Sequence, residues 1–326
     1  MKDNFAMRIV RKNEFISIAL CALLILILTV KSDGFWAVGN LDALQASVAP
    51  RAIMCFGMMM LLICGYFDLS IGSTMLLAGI LSGRLCLSGV PVPVTILLVL
   101  LMGVVMGAIN GWLVSYVGIN ALITTIGTQY IGYGVAMTIW NDMKSFTQST
   151  KLPDSFIALG DGKFLGLYIM TWVTLVLLAL FWFMLRCRPV GRSLYFVGGN
   201  REASQQMGID SKKIVFGVYT LLGFLAALAG VLSVARIQSP TQYMGEGIHM
   251  TCMIACVIGG GSFAGGRGSA LGAVTGALFM SLLNNMFSLL QMKLQLQNVV
   301  VGLILVAVVA IDGYISLKRL REMGKA

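Results

Sequence analysis

The sequence predicts an all-α polytopic membrane protein with about ten transmembrane helices, some of them short or broken. Three observations carry that reading. The 326 residues are 58% hydrophobic and only 11% charged, with a mean hydropathy of +0.90, whereas a soluble domain carries about a quarter charged residues. Residues 164–185 and 214–235 are 22-residue runs without a charge, each long enough to cross a hydrocarbon core of roughly 30 Å as a helix. The 23 Lys and Arg collect at the ends of such runs, as they do in cytoplasmic loops, so the net charge of +10 does not mark a nucleic-acid surface.

Lys2, Arg8, Arg11 and Lys12 precede a first apolar run at 15–30. No small-x-small cleavage site stands before Lys31-Ser32-Asp33, so this reads as an uncleaved span with its N-terminus in the cytoplasm. The polar stretch 31–51, ending at the helix-breaking Pro50, is then external. Apolar runs 52–67 and 69–83 flank Asp68 as two spans of about 15 residues, short enough to require tilting or ending inside protein. Runs 94–116 and 119–140 are full spans joined at Val117-Gly118; 141–163 is external, and 164–185 returns. After the charged loop 186–213, between spans six and seven, run 214–235 leads to an external turn at 236–249 containing Pro240. Runs 250–266, 270–290 and 298–311 complete the set, with a glycine-rich segment at 259–269, a turn at Lys293 and a basic tail of Lys318, Arg319, Arg321 and Lys325. This topology makes 1–326 one transmembrane domain and puts 15 of the 23 Lys and Arg on the side of both termini; an odd number of spans would put one basic terminus outside.

The loop 186–213, RCRPVGRSLYFVGGNREASQQMGIDSKK, carries six Lys or Arg against two acids. A basic anchor against membrane lipid, worth about 1 kcal/mol per charge, needs no pattern. This loop has one. Gly198-Gly199 suits a tight turn, Asn200 an N-cap, Arg201, Glu202, Ala203 and Met207 a two-turn helix over 201–207, and Gly208 before apolar Ile209 a helix stop. Ala203 and Met207 share one face. So short a helix is marginal in water, which favours docking onto a cytoplasmic partner.

Asp68 is the sole carboxylate with apolar runs on both sides, where a charge deep in the bilayer costs ~2.5–3.5 kcal/mol. It is either a proton or ligand site or, with Ser70 and Ser73, the cap and gate of a half-helix whose amides would otherwise be unpaired; capping is the preferred reading. Nothing suggests an enzyme: His249 is the lone histidine, and no acid, base and nucleophile recur together, so no catalytic residue is assigned. Residues 261–268 space glycines like a phosphate loop, but Arg267 stands for the lysine and Gly268 for the Ser or Thr. The seven cysteines are odd in number and lack metal spacing, so they read as small hydrophobes and no metal site is expected.

Three motifs carry a resemblance. They are Gly191-Arg192 through Tyr195 with Gly198-Gly199-Asn200, Glu202-Ala203 and Gly208-Ile209; Asp68-Leu69-Ser70-Ile71-Gly72-Ser73; and Gly260-Gly261-Ser262-Phe263-Ala264-Gly265-Gly266-Arg267-Gly268-Ser269, followed by Asn284-Asn285. In this order they resemble the sugar-importing ABC permeases related to the ribose transporter, a family that also takes allose, galactose and autoinducer-2-like solutes. Tyr66-Phe67 and Met58-Met59-Met60 depart from the usual pattern. The resemblance implies a type II ABC-importer-like permease fold in a bacterial inner membrane, with both termini cytoplasmic and 186–213 as the coupling loop. It implies a dimer with a second copy or a sister permease, a periplasmic sugar-binding protein that delivers a monosaccharide, and a cytoplasmic ABC ATPase. ATP and Mg belong to that ATPase, and this chain binds no cofactor.

Asn110, Asn120, Thr124, Thr125, Asn284 and Asn285, with Thr128 and Gln129, are uncharged groups on the spans that suit sugar hydroxyls along a translocation path. For each of them an interhelical hydrogen bond is the preferred reading, with Gly103, Gly107, Gly111, Gly272 and Gly276 allowing close helix approach. Alternatives of other classes are a cation-coupled secondary transporter, to which Asp68 and the broken spans point, and a membrane receptor or scaffold. A branched-chain amino-acid permease is the neighbouring alternative within the same transport class.

Overall fold

The computed structural model describes residues 5–143, 151–322 and 324, and side chains from 15 to 318 within those limits. The basic residues Lys2 and Lys325, and the side chains of Arg8, Arg11, Lys12, Arg319 and Arg321, lie outside the described set, as does 144–150 of the segment read as external.

The chain runs α1 (Phe5–Lys31), α2 (Val38–Ile63), α3 (Ile71–Leu87), α4 (Val92–Trp112) with a π-helical turn at Leu113–Val117, α5 (Ala121–Met143) and α6 (Asp154–Asp161). A two-stranded hairpin, β1 (Lys163–Phe164) and β2 (Leu167–Tyr168), precedes α7 (Ile169–Cys187), α8 (Pro189–Gly199) and α9 (Arg201–Gln206). The remaining helices are α10 (Ser211–Ile237), α11 (Ile248–Ile258), α12 (Ala270–Leu289) and α13 (Leu294–Glu322).

Among the described residues six helices are long and apolar enough to cross a membrane: α2, α4 with its π turn, α7, α10, α12 and α13. The apolar parts of α1 (Phe15–Lys31), α3 and α11 are shorter. The protein is thus a helical, multi-pass membrane chain, built from spans of unequal length. Two readings of the sequence change. Pro50 does not end a loop; it lies inside α2, which begins at Val38 and is 26 residues long rather than about 15. Proline removes only one backbone donor, and in a packed bundle neighbouring groups compensate for it. The run at 250–266 supplies only the 11-residue α11 before the chain opens into the glycine-rich segment.

At the centre stands α10, packed along α4, α3 and α2. The fit depends on small residues: a Cβ on Gly107 would strike the Tyr219 carbonyl, and one on Gly103 would strike Ala227 and Gly223. Gly272 and Gly276 of α12 likewise press on the backbone of Gly259 and Ala255. The core is lined by Met54, Met58, Leu61 and Leu62 of α2 and by Tyr219 and Leu222 of α10, all fully buried, while α13 is largely exposed on its apolar faces.

Segments assigned to one side of the membrane meet at one end of this bundle. Asp42 at the start of α2 pairs with Lys163 at 2.7 Å, and Asp161 pairs with Arg236 at 2.8 Å. Tyr168 lies beneath both cations, 4.6 Å from Lys163 Nζ and 4.4 Å from the Arg236 guanidinium carbon. From Asp42 to Ile63 α2 rises about 30 Å, so Ile63 marks the opposite end. That end holds the candidate site.

Candidate functional site

The charged loop 186–213 folds into two helices. Pro189 occupies the first turn of α8, where its missing N–H costs nothing, and Gly191, Leu194 and Val197 form the buried stripe. Gly198 and Gly199 therefore close a helix rather than making the tight turn expected. The reason for Gly198 is proximity: any Cβ there would collide with the Ile63 carbonyl at the end of α2 and approach the Gly266 amide. In α9 the Asn200 side chain accepts from the Ala203 amide at 3.0 Å. Its far end is a Schellman closure, with Gly208 N–H donating to Gln205 C=O, Ile209 N–H to Ser204 C=O, and Gly208 at φ +78°. Met207 is 57% exposed, and Arg201 and Glu202 are exposed as well. Asp210 caps α10 by accepting from the Lys212 and Lys213 amides at 3.1 and 3.2 Å. The Lys213 amide first, and then its ammonium, hold the Asp210 carboxyl below its ordinary value.

The loop lies against the other two motifs. The Gly266 amide donates to the Ile63 carbonyl at 2.8 Å, and the Tyr195 hydroxyl donates to the Gly268 carbonyl at 2.8 Å. The Arg201 guanidinium sits 5.4 Å over the Tyr66 ring, in the break between α2 and α3. Tyr219 of α10 donates its hydroxyl to the Phe67 carbonyl at 2.8 Å, and Phe67 meets Phe263 edge-on at 6.2 Å. Three stretches far apart in sequence thus form one node.

Asp68 is 2% exposed. Its Oδ1 accepts from the Ser70 amide and hydroxyl, both at 2.7 Å, and its Oδ2 accepts from Asn110 Nδ2 of α4 at 3.2 Å. Asn110 also donates to Ser70 Oγ at 2.8 Å. The carboxylate bonds Ser70, the residue before α3, and no amide of α3 itself, so it braces the turn into the helix rather than capping it, and it ties that turn to Asn110 of α4, one of the residues read as path-lining. Ser73 faces elsewhere: its hydroxyl donates to the Ser70 carbonyl, and Gly132 of α5 packs onto it.

The glycine-rich segment is anchored by a residue the sequence did not single out. Asp312 of α13, 5% exposed, accepts from Ser262 Oγ and the Phe263 amide at 3.0 Å with one oxygen. With the other it pairs with Arg267 at 2.9 Å. Its signal in the sequence was its position: an acid directly after the last apolar run.

The remaining path residues divide. Thr124 and Thr125 are buried on α5, Thr125 donating to the Ala121 carbonyl at 2.8 Å. Asn120 is exposed, not buried, and caps α5 by accepting from the Leu122 amide at 2.8 Å. Asn285 of α12 exchanges amide hydrogen bonds with Asn40 of α2 at 2.6 and 3.3 Å, and Asn284 beside it is half-buried. Among the described residues no hydrogen bond connects this pair with Asn110, so the structure brings Asn110 to Asp68 and keeps Asn285 apart. Six of the seven cysteines are buried and all are free.

These features define a multi-pass integral membrane protein whose polar interruptions gather at one end. A family model described as the permease component of the branched-chain amino acid transport system matches residues 40–309, and the chain belongs to that permease family. It is similar to the ribose import permease protein RbsC of Haemophilus influenzae, 30% identical over 312 residues that cover 96% of each chain. RbsC of Escherichia coli K12 is 33% identical over 296 residues, 90% of this chain and 92% of the relative. The autoinducer 2 import system permease protein LsrC of Escherichia coli O157:H7 is 30% identical over 308 residues, 94% and 89% of the two chains. The resemblance read from the three motifs extends along most of the sequence. No solved structure matches the chain.

Proposed function

We propose that this chain is the membrane permease of an ATP-driven importer that passes a monosaccharide from a periplasmic binding protein to the cytoplasm by alternating access. The observation that carries the mechanism is the packing of Gly198 against Ile63 and Gly266. A push on residues 186–213 reaches the α2–α3 break and the glycine-rich segment directly, because no side chain separates them. In this reading α9, exposed on Arg201, Glu202 and Met207, takes the push from a cytoplasmic ATPase that holds the nucleotide. Two permeases, identical or sister chains, sit in a bacterial inner membrane with both termini cytoplasmic, and the whole chain serves as one transmembrane domain. Asp68 braces the turn that opens α3 and serves there as a gate, while Asn110 of α4 and Thr124 and Thr125 of α5 line part of the path. Ribose and autoinducer 2 in the names of the relatives support a sugar or sugar-like solute.

The test is Gly208→Val in vesicles containing the partner ATPase and binding protein. A β-branched residue cannot adopt φ +78° without strain, so α9 loses its closure while the spans insert normally. Uptake is expected to vanish, and normal uptake would sink the coupling role. Inhibition by vanadate with indifference to an ionophore separates this mechanism from cation-coupled transport.

A further inference from the structure

Arg51, in the middle of the bundle, is a cation with no counter-charge among the described residues. It is the fourteenth of the 26 residues of α2, about 20 Å from either helix end, and is 9% exposed. Its Nη1 donates to Ser47 Oγ at 3.0 Å, one turn back on α2, and to Ser281 Oγ, midway along α12. Its Nε is buried and has no acceptor among the described residues. The buried carboxylates are committed elsewhere: Asp68 to Ser70 and Asn110, Asp312 to Arg267 and Ser262. The neighbouring thiols are also occupied, Cys252 with the Arg51 carbonyl at 4.0 Å and Cys55 with the Cys252 carbonyl at 3.9 Å.

A guanidinium stays protonated even when buried, so it cannot escape the cost of its position by neutralising. Two neutral hydroxyls supply hydrogen bonds but no charge. An unpaired ionised side chain at mid-membrane depth is costly, and such residues mark substrate or ion pathways. We propose that Arg51, with Ser47 and Ser281, binds an anionic group on the transported sugar, a carboxylate or a phosphate. This rests on the permease reading and narrows its substrate class from neutral monosaccharides to anionic ones. The planar fork of arginine suits either oxyanion, and the Ser47 and Ser281 hydroxyls, which accept from Arg51, keep a hydrogen to donate to the ligand.

The experiment uses the full chain in phosphatidylcholine nanodiscs at constant ionic strength, following thermal unfolding while D-gluconate, ribose 5-phosphate or ribose is added. The expected result is a saturable rise in the unfolding midpoint with an anionic sugar and none with ribose; the two anionic arms tell carboxylate from phosphate. Arg51→Gln should need about tenfold or more of the same ligand, the loss of one charge-assisted contact, and Arg51→Lys should fall between. The wild-type comparison stands even where a variant fails to fold. The proposal is overturned if ribose stabilises as well as the anionic sugars, if no anionic sugar stabilises, or if the response survives in Arg51→Gln. A response to ribose alone rejects the anion and leaves the permease reading intact, whereas uptake by Gly208→Val rejects coupling and leaves Arg51 untouched.

Discussion

Gly198 lies on the Ile63 carbonyl with no space for a methyl group, whereas its neighbour Gly199 has nothing within 4 Å of where a Cβ would be. Gly198→Ala is therefore expected to cost about 1–3 kcal/mol by overpacking and to lower uptake severely. Gly199→Ala is expected to behave as wild type in both thermal unfolding and transport. Equal effects from the two would show that helix propensity, not the contact with α2, matters there.

Asp312 joins α13 to the glycine-rich segment through Arg267, Ser262 and Phe263. Replacing it with Ala removes one charge-assisted partner of a mostly buried guanidinium, a loss of about 1.5–3 kcal/mol. Asn keeps an acceptor for Ser262 and Phe263 and should lose less. Chemical denaturation of the two variants, ranked Ala below Asn below wild type, checks this order.

At Asp68 the choice between a structural brace and a proton site is decided by an isostere. Asn retains an oxygen for the Ser70 amide and hydroxyl but turns a donor toward Asn110, for a cost of about 1–2 kcal/mol. Uptake should survive in Asp68→Asn and fail in Asp68→Ala, which leaves the turn into α3 unpaired. Complete loss of uptake by a folded Asp68→Asn would instead mark the carboxylate as a titrating group.

Asp210 makes the start of α10 sensitive to acid. Its folded value lies below the ordinary 3.8, so its stabilisation is fully present above 3.8 and disappears as the pH falls through the lower folded value. Protection of the Lys212 and Lys213 amides, taken relative to their intrinsic exchange rates, should fall over that acidic window. In Asp210→Asn, an equally good N-cap, that protection should stay flat across it.

What the sequence revealed depends on range. The α9 helix was legible from Asn200 and Gly208 because a cap and an αL stop act over three or four residues. The close-packing glycines of α4 and α12 were legible for a similar reason: small residues at helical spacing announce a contact without naming its partner. The partners themselves were not. Asp312 reaches 45 residues back to Arg267, and Ile63 meets a glycine some two hundred residues on; neither spacing has a signature. Pro50 misled because proline's local preference was overruled by burial, and Asn120 because an apolar neighbourhood in sequence was not an interior in space.

The helix α2 ties these observations together. One end carries Asp42 in an ion pair, the other carries Ile63 in the glycine node, and Pro50 withholds one hydrogen bond near its middle. A rod clamped at both ends flexes at its weakest rung. If the bundle rocks as proposed above and α2 bends at that rung, the fulcrum would be next door to Arg51, and bending the lever and shifting the charge would be a single movement.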